Sequence, residues 1–420
     1  MSGRPLSGRP IGDRDLTAPN VAVVYHSRKG TVRSLAAEVA SGAESAGANV
    51  RLRSVLAEAD RPGADLAHLD DLVWADAVVW GTPTHYGNVS APLKEFMDTT
   101  GPSGLWKSGR LANLVVSGVT SSTSLNGGQE GTLLSLHRIM YHWGALVTSA
   151  GPPEGSADDY WHETGGNPYG LSVRADPQGK ISPAAEAMAR SLGARICDLA
   201  ARVRHLRPHR AERSGPLEEG SAPPAERSSL VPAGGRRLLV AFQSGDDRLR
   251  AMADALAAGA TEEGAETRLR HVDGTEITPA DVAWADGIAW GVRARHGVLP
   301  SSLSAFIERT QGELPPSGYQ GKAVTAFGTT LNAHAGGEST LLSAYTAMHE
   351  WEGVVVAPGY TDPVVNAAGG NPYGTLHHPG IDPPEQSVAG AARYQGRRLA
   401  LAMAALAGAG AGRRGGERVA

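Results

Sequence analysis

The chain contains the stretch VAVVYHSRKGTVRSLAAEVA at Val21–Ala40, in which five apolar or aromatic residues lead through a polar turn into a helical pattern. The apolar run predicts a buried strand, and the periodic run predicts an amphipathic helix from Thr31 to about Ala46. The same alternation predicts further strands at Val50–Val55, Ala77–Trp80, Leu111–Ser117 and Ala145–Thr148, and further helices near Ala91–Thr99, Glu130–Trp143 and Pro183–Arg204. Alternating strands and helices form a parallel α/β sheet covered on both faces, with ligand sites beyond the carboxyl ends of its strands.

The second half of the chain repeats short stretches of the first half in the same order. The matching pairs are VAVVYHS at 21–27 with LLVAFQS at 238–244, WADAVVWG at 74–81 with WADGIAWG at 284–291, GGQE at 127–130 with GGES at 336–339, and GGNPYG at both 165–170 and 369–374. The offset falls from 217 to 204 residues along the chain. A duplicated domain keeps its order while its loops change length, so we predict a tandem duplication.

Three stretches lack apolar periodicity. We predict a disordered tail at 1–18, an interdomain linker at 205–235 and a second disordered tail at 408–420. These boundaries leave one domain at 19–204 and another at 236–407.

The composition favours a protein that acts on small molecules. A net charge of -4 offers no basic field for nucleic acid or a membrane surface, and no apolar run is long enough to span a bilayer. The single cysteine, Cys197, cannot form an internal disulfide, and no Cys or His cluster has metal-ligand spacing. The first residues also lack the apolar core of a signal peptide, so we expect a cytoplasmic protein. From the spacing of the Cys and His residues we also expect no metal site.

The loop after the first predicted strand, SRKGTV, has the composition of a phosphate site. It supplies two hydroxyl groups, a glycine and two basic side chains from Ser27, Thr31, Gly30, Arg28 and Lys29. Such groups and the N–H groups of a helix start favour an anion, although serine and threonine there are also common as plain N-caps. The loop lacks the GxGxxG and GxxxxGK[ST] patterns, which favours a monophosphate.

Two further loops follow the third and fourth predicted strands. GTPTHYGN at Gly81–Asn88 combines an irregular turn with an aromatic face and an amide, and VTSSTSLNGGQE at Val119–Glu130 is rich in glycine and small polar residues. Each of them also has an ordinary structural interpretation, as a capped connection or a surface loop. Their common position at the carboxyl edge of the sheet predicts a ligand site.

The first half resembles the WrbA-type NAD(P)H:quinone oxidoreductases, which are FMN enzymes of the flavodoxin-like superfamily. The run GTPTHYGNVSAPLKEFMD, the run LWKSGRLANL, the SSTSLNGGQE loop and GGNPYG carry this resemblance in order. It is strong over Val21–Arg204 and weak over Leu238–Leu406. It implies two tandem flavodoxin-like domains, each a five-stranded parallel sheet of order 2-1-3-4-5 with helices on both faces.

The resemblance also implies roles for single residues. The FMN phosphate would be bound by Ser27, Arg28, Lys29, Gly30, Thr31 and Val32. One edge of the isoalloxazine would be held by Thr82, Pro83, Thr84, His85, Tyr86, Gly87 and Asn88, and the other by Ser122, Thr123, Ser124, Leu125, Asn126 and Gly127. His142 would lie beside the flavin and hydrogen-bond or protonate a quinone oxygen. Trp106, which in the family reaches in from a neighbouring subunit, would shape the substrate slot with Tyr86 and Tyr141.

Three departures from the family pattern bear on specificity. Lys29 replaces an aromatic residue of the phosphate loop, and Trp143 replaces the second member of a histidine pair. The third loop carries Ser124, Leu125 and Asn126 where the family is richer in glycine. The changes at Lys29 and in the third loop concern the choice of electron donor and acceptor, and the change at Trp143 concerns the pocket.

The second half has lost most of the corresponding polar groups. SRKGTV becomes SGDDRL, which places Asp246 and Asp247 where a phosphate would bind, and GTPTHYGN becomes GVRARHGV. Because like charges repel in a partly dry site, we predict that this half binds no flavin. Two interpretations stay open: it serves as a dimerisation partner, or it offers basic groups to a substrate across the domain interface, namely Arg293, Arg295, His296 and His334.

The resemblance implies the two-electron reduction of a quinone or related aromatic substrate by NAD(P)H through FMN. A dedicated FMN-dependent tailoring enzyme of a natural-product pathway and a non-enzymatic electron carrier or interaction protein are the alternatives. The family forms tetramers, so the resemblance also implies a homodimer that amounts to a pseudo-tetramer of flavodoxin-like units.

Overall fold

The computed structural model describes residues 18–57, 65–151, 165–208, 236–274, 276–379 and 385–407. The predicted N-terminal tail up to residue 17, the linker from residue 209 to 235 and the C-terminal tail lie outside these described residues.

The first half alternates strands and helices as the sequence predicts. Its strands are β1 (Asn20–Tyr25), β2 (Asn49–Ser54), β3 (Ala77–Pro83), β4 (Val115–Ser122), β5 (Leu146–Val147) and β6 (Leu171–Arg174). Its helices are α1 (Thr31–Ser45), α2 (Leu69–Trp74), α3 (Ala91–Asp98), α4 (Gln129–His142) and α5 (Pro183–Val203), and a short 3₁₀ turn follows at Arg204–Leu206.

The second half repeats the same order of elements. Its strands are β7 (Arg236–Phe242), β8 (Ala265–His271), β9 (Gly287–Arg293), β10 (Ala323–Thr329), β11 (Val354–Val356) and β12 (Leu376–His377). Its helices are α6 (Asp247–Glu262), α7 (Pro279–Trp284), α8 (Ser301–Glu313), α9 (Gly337–Glu350), α10 (Pro363–Ala367) and α11 (Glu385–Ala407), with a 3₁₀ turn at Pro316–Gly318.

The two halves share one sheet instead of the two separate sheets that the sequence suggested. The strand order is β2-β1-β3-β4-β5-β11-β10-β9-β7-β8. Strands within each half are parallel, whereas β5 and β11 pair antiparallel at the centre, with Val147 opposite Val355. The strands of the two halves therefore run in opposite directions, and their carboxyl ends lie at opposite edges of the sheet.

Among the described residues each half has six strands, where five are predicted. In the first half, β5 pairs with β4 along the beginning of that strand, at Val115 and Val116, and β6 pairs with the end of β4 from Val119 to Ser122. In the second half β12 pairs with the end of β10 in the same way. The strand β4 also begins later than predicted, because residues 111–113 form a turn in which Asn113 has a φ of 58°.

Helices cover both faces of the sheet. One face is packed by α1, α5, α6 and α11, through side chains such as Leu35 and Leu399, and the other by α3, α4, α8 and α9, around the buried Trp80 and Trp290. Within the described residues, no helix is long and apolar enough to cross a membrane, and no cluster of three metal-ligating side chains occurs.

Candidate functional site

The three predicted loops meet at the carboxyl ends of β1, β3 and β4. The hydroxyl oxygens of Thr84 and Thr120 lie 3.0 Å apart, which joins β4 to the loop after β3. A Cβ atom on Gly128 would lie 2.9 Å from the Cα of Gly87, so the second and third loops are in close contact. The backbone N–H of His26 donates to the carbonyl of Gly81 at 2.9 Å, which brings the first loop beside the second.

The start of α1 is open to an anion. Its N-cap is Gly30, with a φ of +94°, and no side chain among the described residues caps the helix. The Ser27 hydroxyl accepts a hydrogen bond from the Gly30 N–H at 3.1 Å, while Arg28 and Lys29 are exposed at the rim. N–H groups at a helix start carry partial positive charge, so a negative group is stabilised here.

The segment at residues 176–179, which was not among the predicted site residues, is hydrogen-bonded to the start of α1. The Thr31 hydroxyl is hydrogen-bonded to the backbone of Asp176, at 3.3 Å to its carbonyl and 3.2 Å to its N–H. The Ser34 hydroxyl donates to the carbonyl of Gly179 at 2.7 Å. The sequence DPQG at 176–179 is a turn signature that marks the segment, but nothing in it indicates contact with a loop about 145 residues away.

The second loop is held by one buried hydroxyl and presents one exposed ring. Thr82 is fully buried, and its hydroxyl lies 3.1 Å from that of Ser90, so it positions the loop and does not face a ligand. His85 and Asn88 close a tight turn, and Tyr86 at its tip has a φ of 54° and is fully exposed. The Tyr86 ring is therefore free to stack on a planar ligand.

The third loop is a compact turn with one exposed apolar side chain. The Ser122 hydroxyl donates to the Ser124 carbonyl at 2.5 Å and accepts from the amide of Gln129 at 2.9 Å. A Cβ on Gly127 would lie 2.7 Å from the Ser122 hydroxyl, so only glycine fits there without a shift. Leu125 is 64% exposed and faces solvent. Ser122 thus shapes the loop, which presents its backbone and Leu125 to a ligand.

His142 and Trp106 do not lie with these loops. The helix α4 starts at the third loop and has 14 residues, so its end lies about 20 Å away along the axis. The Asn113 N–H donates to the carbonyl of Gly144 at 3.0 Å, which places that end beside the start of β4. His142 therefore does not lie beside the flavin loops of its own half.

These two side chains contact the second half of the chain instead. The His142 Nε2 lies 3.0 Å from the Tyr373 hydroxyl, and the rings of Trp106 and Tyr360 are 5.0 Å apart in an edge-on arrangement. Burial lowers the pKa of His142. The imidazole is therefore neutral at pH 7.

The repeated GGNPYG motif lies at the boundary between the halves. The Tyr373 ring packs edge-on against Tyr141 at 6.3 Å, and the Tyr169 ring packs edge-on against His349 at 6.2 Å. Tyr141 and His349 occupy equivalent positions near the ends of α4 and α9. Each copy of the motif thus contacts the helix of the other half, a role that the sequence analysis did not find.

In the second half, a carboxylate of the chain itself occupies the helix start that corresponds to the open anion site of the first half. Asp246 is the N-cap of α6, and its side chain accepts from the N–H groups of Arg248 at 3.1 Å and Leu249 at 3.4 Å. It also accepts from the Thr329 hydroxyl at 2.8 Å. Burial acts to raise the pKa of Asp246, but hydrogen bonds from Thr329 and Arg248 outweigh it and hold that pKa below its usual value. The start of α6 therefore already carries a negative charge.

The second loop of this half keeps its turn and changes its chemistry. His296 has a φ of 60° and Arg295 pairs with Val298, as Tyr86 and its neighbours do in the first half. Because the strands of the halves run in opposite directions, these residues lie at the opposite edge of the sheet from the first three loops. The basic groups of the second half consequently do not reach a substrate at those loops. Within one chain, this excludes the interpretation that they bind a substrate across the domain interface.

Comparison with known proteins finds relatives that match part of the chain. The family model described as NADPH-dependent FMN reductase matches residues 19–152. A protein of Deinococcus radiodurans named NAD(P)H dehydrogenase (quinone) is 40% identical over 180 residues, which is 39% of this chain and 87% of that protein. A protein of the same name from Paracoccus denitrificans is 39% identical over 198 residues, covering 43% of this chain and 94% of the relative. Among solved structures, a WrbA-like flavodoxin from Agrobacterium tumefaciens is 30% identical and covers 44% of this chain and 99% of its own, with a TM-score of 0.33.

Proposed function

We propose, from the premise that this chain belongs to the WrbA-type NAD(P)H dehydrogenase (quinone) family, that its first half binds FMN and reduces a quinone with NAD(P)H. Bound FMN would supply the two-electron carrier between the nicotinamide and the quinone. The second half binds no FMN and serves to complete the shared sheet.

The contrast between the starts of α1 and α6 carries this proposal. The start of α1 combines an uncapped helix end, Gly30 and two exposed basic side chains, which together suit a phosphate monoester. The start of α6 is neutralised by the carboxylate of Asp246. A phosphate there would displace that carboxylate from its hydrogen bonds or lie against a like charge.

The remaining loops of the first half suit a flat ring. Gly87 and Gly128 approach closely enough that the second and third loops form one continuous wall, with Tyr86 and Leu125 exposed on it. Backbone groups of residues 122–127 would bind one edge of the ring and those of 82–88 the other. Tyr86 would then pack against the nicotinamide or the quinone.

A second copy of the chain would bring Trp106 and His142 to the site. Both lie on the edge of the sheet opposite the flavin loops of their own half, so they reach a flavin only from a partner. We therefore propose a homodimer, a pseudo-tetramer of four domains, in which these residues line the quinone slot in trans. A molar mass of one chain by light scattering would exclude this arrangement.

The visible absorption spectrum of the purified protein, with flavin counted per chain, tests the proposal. We expect about one FMN per chain and rapid reduction of simple benzoquinones by NADH or NADPH. A colourless protein that takes up no added FMN would refute the proposal, and two FMN per chain would refute the asymmetry. A full flavin content with very slow benzoquinone turnover would point to a dedicated aromatic substrate.

A further inference from the structure

The second half keeps an open cleft beside the carboxylate that replaces the phosphate. The cleft has a volume of about 500 Å³, and its lining includes Asp246, Arg248, Arg293, Arg295, Leu331 and Ala335. We call it the arginine cleft. A cleft of this size accommodates a small organic molecule.

Two guanidinium groups of the arginine cleft lack a counter-charge. Arg248 is paired with Asp246, at 3.2 Å between Nε and the carboxylate, which accounts for the acidic group of the lining. The Arg293 guanidinium donates to the carbonyl of Ser244, at 3.2 Å. Within the part of the chain that the structure describes, neither Arg293 nor Arg295 forms an ion pair. Two neighbouring uncompensated positive charges favour the binding of an anion.

Two further carboxylates belong to an adjoining cleft. An adjoining cleft shares Arg293 and Arg295 and also includes Asp273 and Glu308. The Asp273 carboxylate accepts from the N–H and the hydroxyl of Ser244, at distances between 2.9 and 3.0 Å. Glu308 lies on α8 and forms no ion pair with either arginine among the described residues. Neither Asp273 nor Glu308 lines the arginine cleft itself, whose lining contains three arginines and the single carboxylate of Asp246.

The rest of the lining indicates the chemistry of the anion. Leu331 is 73% exposed at the mouth of the cleft, and Ala294 and Ala335 add apolar surface. Guanidinium groups bind carboxylates through two parallel hydrogen bonds, and their planes stack on aromatic rings. The start of α6, which would select a phosphate, is taken by Asp246.

We propose that the arginine cleft binds a planar aromatic carboxylate, with Arg293 and Arg295 holding the carboxylate and Leu331 and Ala335 covering the ring. This site lies at the opposite edge of the shared sheet from the flavin loops and is separate from the proposed reaction. The second half would thus bind a ligand of its own, although it has lost the phosphate site for FMN.

Isothermal titration of 2-naphthoate into the purified full chain tests this proposal. We expect one binding event, a loss of about 10- to 100-fold in affinity in the double variant Arg293→Gln/Arg295→Gln, and no loss in Arg190→Gln, which changes an exposed arginine of the first half. The neutral amide 2-naphthamide is expected to bind at least tenfold more weakly than the carboxylate. Added FMN is expected to leave naphthoate binding unchanged.

A second variant guards against a folding defect. Ala335→Trp fills the cleft and leaves both arginines in place, so it is also expected to abolish naphthoate binding while the thermal unfolding midpoint changes little. The proposal fails if naphthoate does not bind, if the double variant binds it as tightly as the natural chain does, if the amide binds equally well, or if FMN displaces it.

Discussion

The hydroxyl of Tyr141 lies 3.1 Å from Nε2 of His349, across the boundary between the two halves of the chain. Both side chains are buried, and they occupy equivalent positions in α4 and α9. Around them, His137 packs on His349 at 4.7 Å and Tyr141 on Tyr345 at 5.2 Å, so the contact has approximate two-fold symmetry. The antiparallel pair β5–β11 joins only two pairs of residues, and this ring cluster adds buried contacts between the halves.

Removal of the Tyr141 hydroxyl should destabilise the protein. In Tyr141→Phe the ring remains, but Nε2 of His349 loses its partner in a buried site, which costs about 1 to 3 kcal/mol. Urea unfolding should show a lower midpoint with an unchanged slope. Tyr86→Phe is the matched control because the Tyr86 hydroxyl is fully exposed, and its midpoint should stay the same. Equal midpoints for Tyr141→Phe and the natural chain would contradict the structural role of this bond.

The same cluster should make stability depend on pH. Burial lowers the pKa of His349 from its ordinary value of 6.5 to about 4, and burial together with the charge of His349 lowers the pKa of His137. Between pH 6.5 and 4 the unfolded chain binds more protons than the folded chain. The contribution of this group to the free energy of unfolding is therefore fully present above pH 6.5 and is lost as the pH drops toward 4. Urea midpoints across this interval measure the effect. In His349→Gln the slope against pH should be shallower, and an identical slope would assign the acid sensitivity to other groups.

A carboxylate introduced into the first loop, at the sequence position of Asp246, should weaken the binding of FMN. Lys29 is the sequence counterpart of Asp246 and is exposed, and it directly precedes Gly30, the N-cap of α1. Lys29→Asp should therefore fold normally and place a negative charge beside the start of α1. We expect at least tenfold weaker FMN binding by fluorescence titration than in Lys29→Ala, which removes only the positive charge. Similar affinities in the two variants would show that the contrast between Lys29 and Asp246 does not decide where the phosphate binds.

Local patterns predicted the parts of the fold that depend on local residues. The strand–helix alternation around Val21–Ala40 and the three loops are in place because apolar periodicity and turn residues act over short distances. The sequence did not reveal that β5 and β11 join the sheets, because strands of two and three residues carry too little pattern to show their partners. The prediction that His142 lies beside the flavin rests on the resemblance alone. Its position within the chain follows from the direction of α4 and from contact with Tyr373, more than 200 residues away, which no local pattern predicts.

Two variants distinguish a catalytic role of His142 beside the flavin of a partner chain from a structural role at the boundary between the halves. If a partner chain's flavin lies beside it, His142→Ala should lower quinone turnover by about 100-fold or more, the scale of a lost hydrogen-bonding or proton-transfer group at the quinone oxygen. FMN content and the rate of flavin reduction by NADH should stay unchanged. Tyr373→Phe removes the hydroxyl that bonds Nε2 and leaves the imidazole, so turnover should change far less. Stopped-flow absorbance of both half-reactions separates these outcomes. If both variants slow the oxidative half-reaction equally, the bond between the halves is what matters, and His142 acts only as part of that boundary.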